Sequence, residues 1–447
     1  MMMASPAQGP GERLHVLFIG DRGHHQPEAR LHDVYGPLIR AGFAIDWEDH
    51  LEFINRDRLD DYDCVVMYAN QPQHSTVPQQ FFQALRSYVQ DGGGFVALHC
   101  TSGCFMQSQE WLEFVGARFV SHGAEVFKQE IVAPEHPVVK GWGNFTSWDE
   151  TYVQTHHPSD RLVLTMRGDE PWSWVRLEGK GRVYYSASGH DARAWKEPGF
   201  FDMLVRAMDW SAGSDASARR LAFREPEFKQ VAHEWVPNYE AREPHPNYQL
   251  PSTPEQARDA LIVPAGFKAQ IFAAEPMVVN PIALAWDESG RCWVAESPDY
   301  PNTLDENGVG KDRISILEDT DGDGRADKKT VFYDKLNLPT SILKVKGGIL
   351  VTQAPDLLFL ADNNQDDKCD QIKVMFSGFG RWDTHAGPSN LKWGPDNSIW
   401  GSVGYASYEH ADGRRFGSGL WRWQQTQPEP EFLAQFTNNT WGLGLRT

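Results

Sequence analysis

An acidic loop that occurs twice constrains the fold of this chain more than any other feature. The first copy is EDTDGDGRAD and the second is ADNNQDDKCD, and each follows an apolar pair. Oxygen-bearing side chains stand at positions 1, 3, 5 and 9 of both loops, and the first positions, Asp319 and Asp362, are 43 residues apart. A repeat of this period is typical of one supersecondary unit used again, as in the blades of a β-propeller.

The oxygen spacing also predicts the ion that each loop would bind. Side chains at positions 1, 3, 5 and 9 are typical of a loop folded around a hard cation such as calcium. The predicted calcium ligands are Asp319, Asp321, Asp323 and Asp327 in the first loop, and Asp362, Asn364, Asp366 and Asp370 in the second. In the second loop Gln365 and Asp367 replace two glycines, which makes a tight wrap around an ion harder. An acidic turn without metal is the alternative at both places.

A second repeat in the same half supports the propeller. Three segments share a plan of a proline, an apolar strand, a turn and a second strand that ends in small residues, and they begin at Pro281, Pro339 and Pro388. Unequal spacing with a shared pattern suits blades with variable loops. A fourth unit would only begin at TWGLGLRT, so we expect an all-β propeller that is incomplete in this chain and belongs to a longer protein.

The first half has a different pattern. Short buried strands such as LHVLFIG, CVVMYA and GFVALH alternate with helical segments, which predicts a mostly parallel sheet with helices on both faces. We therefore predict an α/β domain over residues 13–212 and a partial propeller over residues 263–447. The Pro-rich and charged stretch between them, residues 213–262, is predicted to be a linker or strap.

Composition and charge exclude several classes of protein. A formal net charge of −19 without clusters of Lys and Arg argues against binding to nucleic acid or anionic membranes. The sequence contains no run of about 18 apolar residues, so it predicts no transmembrane helix. Five scattered cysteines without a C-x-x-C pair predict neither a disulfide framework nor a covalent haem. Calcium loops favour a periplasmic or other extracytoplasmic location, although the N-terminus as written does not resemble a signal peptide.

Histidines stand where the predicted strands of the first half end. In an open α/β sheet, ligands bind beyond the carboxyl ends of the strands. Neutral imidazoles with a carboxylate can hold a divalent metal or transfer protons. We predict catalytic roles for His99, Glu150 and His190, and substrate binding by His24, His25, His122, Asp149 and Asp191. Capped strand ends and surface histidines are the structural alternative.

Cys100 suggests a different mechanism for the same edge. It follows a buried strand, and a cysteine beside a histidine from a late strand can act as a nucleophile. Its surroundings, LHCTSG, lack glycines on both sides of the nucleophile. The cysteine mechanism is therefore the weaker alternative.

The first half resembles the ThuA-like (trehalose-utilisation) family. The matching segments run from GHHQPEARLHD through DGGGFVALHCTS, GARFVSHG and WDETY to GKGRVYYSASGHDARAW. The resemblance implies a flavodoxin-like sheet, related to class I glutamine amidotransferases, and a link to carbohydrate metabolism.

The second half resembles the N-terminal propeller of large dehydrogenase-like proteins of planctomycetes and verrucomicrobia. The matching segments include GRCWVAESPDYP, RISILEDTDGDGRADKKTVF and DTHAGPSNLKWGPDNSIWGSVG. The resemblance implies helical repeats and a haem-binding electron-transfer module in a longer protein. His385 also matches the catalytic base of soluble quinone-dependent sugar dehydrogenases, which implies a catalytic role for His385 and leaves the quinone unidentified.

Together these patterns predict a bacterial carbohydrate-processing protein with two modules. The α/β domain would bind or convert a sugar or keto-sugar, as a hydrolase or lyase, with a divalent metal as a candidate cofactor. The propeller would be a quinone-type dehydrogenase in its complete form. A non-catalytic scaffold that binds sugars or other proteins is the alternative.

Overall fold

The computed structural model describes residues 12–155, 158–232, 238, 241–436, 438–440 and 442–445. The N-terminal residues 1–11 and residues 441 and 446–447 of the predicted fourth unit lie outside this described part. The chain forms two compact units, residues 1–269 and residues 270–447.

The first unit contains strands and helices in alternation. Its strands are β1 (Leu14–Ile19), β2 (Phe43–Glu48), β3 (Cys64–Met67), β4 (Gly94–Leu98), β5 (Arg118–Lys128), β6 (Glu130–Ile131), β7 (Thr146–Thr155), β8 (Leu162–Arg167), β9 (Glu170–Glu178), β10 (Gly181–Ser186), β11 (Gln230–Ala232) and β12 (Asn247–Gln249). Its α-helices are α1 (Pro27–Arg40), α2 (Arg56–Leu59), α3 (Gln79–Asp91), α4 (Gln109–Val115), α5 (Ala192–Trp195), α6 (Pro198–Ala212), α7 (Ser214–Ala222) and α8 (Pro254–Ala260).

Eight of these strands form one mixed sheet in the order β2-β1-β3-β4-β10-β9-β8-β6. The pairs from β2 to β10 are parallel, and the pairs from β10 to β6 are antiparallel. The prediction of a mostly parallel sheet is therefore correct for one side of the sheet and wrong for the other. A two-residue turn, Gly179-Lys180, joins β9 to β10, and Gly179 has φ +62°, a conformation that glycine adopts easily.

Apolar side chains cover both faces of this sheet. Leu17 and Ile19 of β1 point to the layer that contains α3 and α4. Val16 and Phe18 point to the opposite layer, which contains α1 and α6. Because helices cover both faces of the sheet, neither side of a central strand faces solvent. Every residue of β4 is accordingly buried.

The strands β5 and β7 form a separate antiparallel ribbon. In its register His122 lies opposite Tyr152, and Ala124 lies opposite Glu150. The ribbon therefore carries three of the predicted site residues, His122 on β5 and both Asp149 and Glu150 on β7.

The described part of the predicted linker contains regular structure. Helix α7 follows α6 directly, and Arg220 of α7 forms an ion pair with Asp209 of α6. Helix α8 begins with a capping box, in which Thr253 and Gln256 exchange hydrogen bonds. Local capping and an ion pair thus order parts of a segment whose composition predicted a linker or strap.

The second unit consists mostly of β-sheet. Its strands are β13 (Pro281–Trp286), β14 (Cys292–Glu296), β15 (Asp312–Glu318), β16 (Lys328–Leu336), β17 (Ser341–Val345), β18 (Gly348–Gln353), β19 (Asp356–Ala361), β20 (Gln371–Ser377), β21 (Pro388–Trp393), β22 (Ile399–Val403), β23 (Tyr408–Glu409), β24 (Arg415–Phe416), β25 (Ser418–Trp423) and β26 (Glu431–Phe436). Three antiparallel four-stranded sheets follow one another: β13-β14-β15-β16, β17-β18-β19-β20 and β21-β22-β25-β26.

These three sheets correspond to the three proline-led segments of the sequence. Pro281 and Pro388 are the first residues of β13 and β21, a position where proline disturbs no ladder. Apolar side chains fill the space between the first and second sheets, and others fill the space between the second and third. Within the described part of the chain the sheets do not close into a propeller.

None of the helices in the described ranges has the length and the apolar content that crossing a membrane requires.

Candidate functional site

Residues from distant parts of the first unit meet at the carboxyl edge of the parallel strands. His99 follows β4, and His190 follows β10, the strand parallel to β4. His25 lies between β1 and α1, and the ribbon supplies His122 from β5 and Glu150 from β7. The fold therefore brings together the strand-end histidines that the sequence predicted to converge.

The carboxylate of Glu150 lies at the centre of this cluster. Its Oε2 is 3.4 Å from His99 Nε2 and 3.2 Å from His190 Nδ1, and its Oε1 is 3.3 Å from His122 Nδ1. The ring of His25 lies 5.1 Å from the ring of His99 and 5.2 Å from that of His190. One carboxylate thus faces three imidazoles directly, with a fourth imidazole beside them.

Two further rings lie at the rim of the cluster. His24 packs against His25, with ring centroids 3.9 Å apart, and the indole of Trp148 lies 5.7 Å from the ring of His190. The side chain of His122 is 45% exposed, whereas that of His99 is fully buried. The cluster is therefore open to solvent on the side of His122.

His99 occupies an unusual backbone conformation. Its φ is +42°, which non-glycine residues adopt rarely and at a cost of order 1–3 kcal/mol. The ring packs 4.1 Å from that of Tyr152, and Nδ1 lies 2.7 Å from the carbonyl oxygen of Ala187. Because a carbonyl can only accept, Nδ1 carries a proton, and in the neutral ring Nε2 presents its lone pair to Glu150.

Burial and mutual repulsion keep two of the imidazoles neutral. Burial, together with the neighbouring His99, His24 and His190, lowers the pKa of His25 to about 2. Burial also lowers the pKa of His190, against the opposing effect of Glu150. Neutral rings have a lone pair available to accept a proton or to bind a metal.

Glu150 remains ionised in this setting. Burial favours its neutral form, but the neighbouring imidazoles of His99, His190 and His122 outweigh burial and lower the pKa of Glu150. The cluster therefore combines a carboxylate anion with the neutral imidazoles of His25 and His190.

Three imidazole nitrogens in the cluster lack hydrogen bonds. Within the part of the chain that the structure describes, His25 Nε2, His99 Nε2 and His190 Nδ1 are buried without a hydrogen-bond partner. These three histidines and Glu150 can each offer one donor atom such that the four atoms all lie within 4.8 Å of one another. This donor set is one that can hold a metal ion.

Asp149 holds the backbone of the loop that carries His190. Its carboxylate is 2% exposed and accepts hydrogen bonds from the backbone amides of Gly189 (2.8 Å) and His190 (3.0 Å). Tyr68 donates to the carbonyl oxygens of the same two residues. Asp149 was predicted to bind substrate, but its oxygens are already used to hold the loop that carries His190.

Asp191 likewise has partners inside the protein. It caps the N-terminus of α5 by accepting from the amide of Arg193, and it forms an ion pair with the guanidinium of that residue. The guanidinium in turn lies over the ring of Trp148, 3.3 Å from its centroid. The predicted substrate-binding carboxylate therefore positions an arginine at the rim of the cluster.

The aromatic residues around Glu150 were not among the predicted site residues. Trp148 and Tyr152 lie two positions before and after Glu150 on β7, so the three side chains share one face of the strand. The period-2 alternation in WDETY was a usable signal for both. Asn70, whose Nδ2 lies 3.3 Å from His25 Nδ1, follows β3 without any motif that would have singled it out.

The environment of Cys100 disfavours the cysteine mechanism. The side chain is fully buried among the apolar residues of the sheet, and burial raises the pKa of its thiol well above the usual value. A nucleophilic cysteine needs a stabilised thiolate, and burial has the opposite effect.

In the second unit the two acidic loops join equivalent strands. Residues 319–327 connect β15 to β16, and residues 362–370 connect β19 to β20. Asp319 accepts hydrogen bonds from the amides of Gly322, Asp323 and Gly324, and Asp362 accepts from the three equivalent amides of the second loop. In the first loop, oxygens of Asp319, Asp321 and Asp327 lie within 4.8 Å of one another.

The second loop keeps this conformation without the glycines. Gly322 and Gly324 have φ of +78° and +86°, and Gln365 and Asp367 both have φ of +62°. The second loop therefore makes the same tight turn, but Gln365 and Asp367 adopt the left-handed conformation at a cost that glycine would avoid.

His385 lies on an exposed part of the second unit. Its side chain is 54% exposed, Nδ1 is 3.1 Å from Asp383, and its ring packs edge-on against that of Tyr300. Asp383 also accepts a hydrogen bond from Tyr405. The catalytic role of His385 remains a prediction.

Comparisons with known proteins agree with the division into two parts. Residues 15–211 match the family described as Trehalose utilisation (ThuA). Residues 253–447 match a domain of unknown function, DUF7133. The chain contains a ThuA domain followed by a DUF7133 domain. No curated protein matches the chain.

Two solved ThuA-like proteins are among the structures that resemble part of the chain. A ThuA-like protein of Parabacteroides merdae shares 20% identity over 45% of this chain and 90% of its own, with a TM-score of 0.40. One from Bacteroides uniformis shares 19% identity over 46% of this chain and 95% of its own, with a TM-score of 0.38. The ThuA domain has a flavodoxin-like α/β fold, and the ThuA match indicates a role related to carbohydrates.

Proposed function

We propose that the ThuA domain binds a sugar or keto-sugar at the histidine–glutamate cluster and converts it by proton transfer. The observation that carries this proposal is the contact of one ionised carboxylate, Glu150, with three imidazoles at the carboxyl edge of the sheet. The ThuA match supports the choice of a carbohydrate as the substrate class. A reaction of the hydrolase or lyase type fits groups that can both accept and donate protons.

The exposure of the side chains suggests their roles. His122 is the most exposed imidazole in contact with Glu150, so it would meet the substrate and exchange a proton with it. Glu150 would orient His122 or accept the proton itself. Trp148 supplies an aromatic ring at the rim, of the kind that packs against the apolar face of a sugar.

The test is a panel of sugars, disaccharides and keto-sugars incubated with the full chain in deuterated water. Nuclear magnetic resonance would follow both conversion and exchange of protons next to a carbonyl. We expect His122→Ala to slow the reaction by about 10²-fold or more. His32→Ala, which changes an exposed histidine of α1, is the matched control and should leave the rate unchanged. Binding without conversion would favour the scaffold alternative, and a wild-type rate in His122→Ala would exclude the assigned role.

For the DUF7133 domain we propose a propeller-type architecture with calcium in the acidic loops. The support is the shared strand order of the three sheets and the approach of three carboxylates in the first loop. A dehydrogenase role would place a quinone and a sugar near His385. Sugar oxidation by the full chain, supplied with a quinone and a dye as electron acceptor, would test this role, and an unchanged rate in His385→Ala would exclude it.

A further inference from the structure

We propose that the ThuA domain holds one divalent transition-metal ion, bound by His25 Nε2, His99 Nε2, His190 Nδ1 and Glu150 Oε2. This inference deepens the function proposed above, but its central claim, metal binding, does not depend on any reaction. It assigns His25 to the ligand set and leaves His122 outside it.

The unpaired nitrogens are the first argument. Buried polar atoms without partners are rare in folded proteins, because each costs about 1–3 kcal/mol of lost hydration. Here three such nitrogens belong to histidines that, together with Glu150, can each offer a donor atom within 4.8 Å of the others. A cation between them would satisfy all four atoms at once.

The tautomer of His99 is the second argument. Its Nδ1–H donates to Ala187, so in the neutral ring Nε2 and Glu150 Oε2 are two acceptors that face each other at 3.4 Å. Two lone pairs at that distance repel each other, whereas a metal ion placed between them is attracted to both. A metal-bound histidine usually donates its other N–H to a backbone carbonyl or a carboxylate, which is the arrangement of His99.

The distances are the third argument. Two ligands of a tetrahedral ion with bonds of about 2.1 Å lie about 3.4 Å apart. Glu150 Oε2 lies 3.4 Å from His99 Nε2 and 3.2 Å from His190 Nδ1. The four residues can each offer one ligand atom within 4.8 Å of the other three. The two measured separations from Glu150 Oε2 are therefore close to those of a tetrahedral coordination shell.

The residues behind the ligands also hold them in place. Asp149 and Tyr68 fix the backbone of His190 through hydrogen bonds to its amide and its carbonyl. Asn70 lies 3.3 Å from His25 Nδ1, and with its amide oxygen turned to that nitrogen it would accept Nδ1–H and leave the Nε2 lone pair free. The strained backbone of His99 fits a residue whose side chain must reach one required position.

The ligand types indicate the class of metal. Three imidazoles and one carboxylate suit zinc, iron, cobalt or nickel, whereas calcium and magnesium prefer shells made of oxygen. His122, His24 and Trp148 surround the cluster without belonging to the ligand set. A substrate oxygen that reached the ion from the side of His122 would meet both a Lewis acid and a proton-transfer group.

The test measures metal binding by the full chain, without a histidine tag. The protein is stripped with a chelator and then dialysed against Zn²⁺ or Co²⁺, and bound metal is measured by mass spectrometry and, for Co²⁺, by visible absorption. We expect one equivalent in the wild type and at least tenfold weaker binding in Glu150→Gln and in His190→Ala. Near-ultraviolet circular dichroism shows whether each variant is folded.

Two control variants separate this site from the rest of the molecule. His32→Ala and the double variant Asp321→Ala/Asp323→Ala should keep the full equivalent, because neither changes the proposed ligands. Equal metal content in the wild type and in a folded Glu150→Gln/His190→Ala protein would overturn the inference, as would a wild type that binds neither ion. One equivalent of metal in a protein that converts no sugar would leave the metal site standing and count against the proposed function alone.

Discussion

The two candidate ion sites of this molecule are built in opposite ways. The histidine cluster draws its groups from four separate parts of the ThuA domain, and three of its nitrogens are buried without partners. The first acidic loop draws its carboxylates from nine consecutive residues, is exposed, and directs backbone amides at its own carboxylates.

This difference teaches how a cluster of polar groups should be interpreted. Carboxylates that accept hydrogen bonds from their own loop are stable with or without an ion, so their spacing alone is weak support for a metal. Buried nitrogens without hydrogen-bond partners are costly, so they are stronger support for the proposal of a bound ion. The spatial arrangement, rather than the number of acidic or basic groups, separates the two cases.

The largest effect should come from Glu150→Gln. The change keeps the shape of the side chain and removes its charge, so we expect sugar conversion to fall by about 10²–10⁴-fold. The double variant Asp321→Ala/Asp323→Ala should convert the same sugar at the wild-type rate. Rate measurements on the full chain compare the two sites directly, and equal losses in both variants would show that the comparison is mistaken.

A buried carboxylate in the DUF7133 domain provides the next comparison. Glu296 is fully buried, like the core of the cluster, but all its oxygens have partners. These partners are Arg313, Lys329, Ser315 and the amide of Val279. Burial acts to raise the pKa of Glu296, but these hydrogen bonds outweigh it and lower the pKa to about 2.

The stability of the DUF7133 domain should therefore depend on the charge of Glu296. Because the folded pKa lies below the unfolded value of about 4.3, the carboxylate stabilises the folded form above about pH 5, and this contribution of about 3 kcal/mol is lost as the pH falls toward 2. Glu296→Gln should lower stability at pH 7 by a similar amount, because it leaves the partly buried cations Arg313 and Lys329 without their carboxylate. Calorimetry between pH 7 and pH 3 checks both effects, and an unaltered acid dependence in the variant would contradict them.

Calcium should have a somewhat smaller effect on the first acidic loop. The folded loop presents Asp319, Asp321 and Asp327 together, so binding would stabilise the domain by about 2.7 kcal/mol at a hundredfold excess over the dissociation constant. Thermal melting of the full chain with calcium and with chelator measures this shift. An unchanged midpoint, or the same shift in Asp321→Ala/Asp323→Ala, would refute the assignment.

The smallest effect should distinguish the two acidic loops from each other. A Cβ at Gly322 would meet no atom within 4 Å, so Gly322→Ala would cause no clash. The variant would lower stability only by the cost of placing alanine in the left-handed conformation, about 1 kcal/mol. At the equivalent position of the second loop, Gln365→Gly should relieve the same strain and stabilise the domain by somewhat less than that, because glycine also gains freedom in the unfolded chain. Opposite signs in thermal melting would confirm that both loops share one backbone.

Much of the histidine cluster could be predicted because parallel strands end at a common edge. The meeting of His99 and His190 follows from that rule once β4 and β10 are recognised as strands. The contribution of Glu150 could not be derived in the same way, because it depends on how the ribbon of β5 and β7 folds over that edge. Residues that are far apart in sequence carry no local signal for such a contact.

The antiparallel side of the sheet was missed for a different reason. The strands β8 and β9 were not recognised, although the glycines of EGKG mark the turn between β9 and β10. The sheets of the DUF7133 domain were easier to predict, because each begins with a proline-led strand and repeats the same plan. A pattern that occurs three times can be recognised by comparing its copies, whereas each element of the ThuA domain occurs only once.

The neighbouring positions of Asp149 and Glu150 have a consequence for how this pocket can evolve. Consecutive side chains of β7 point in opposite directions, so one carboxylate anchors a loop while the next faces the imidazoles. An inserted or deleted residue in β7 would exchange these two tasks and lose both. A point substitution at position 150 would alter the chemistry of the pocket and leave the anchor intact. New specificities in this domain can therefore arise by changes of residue type, whereas a change in the length of this strand would disrupt the pocket.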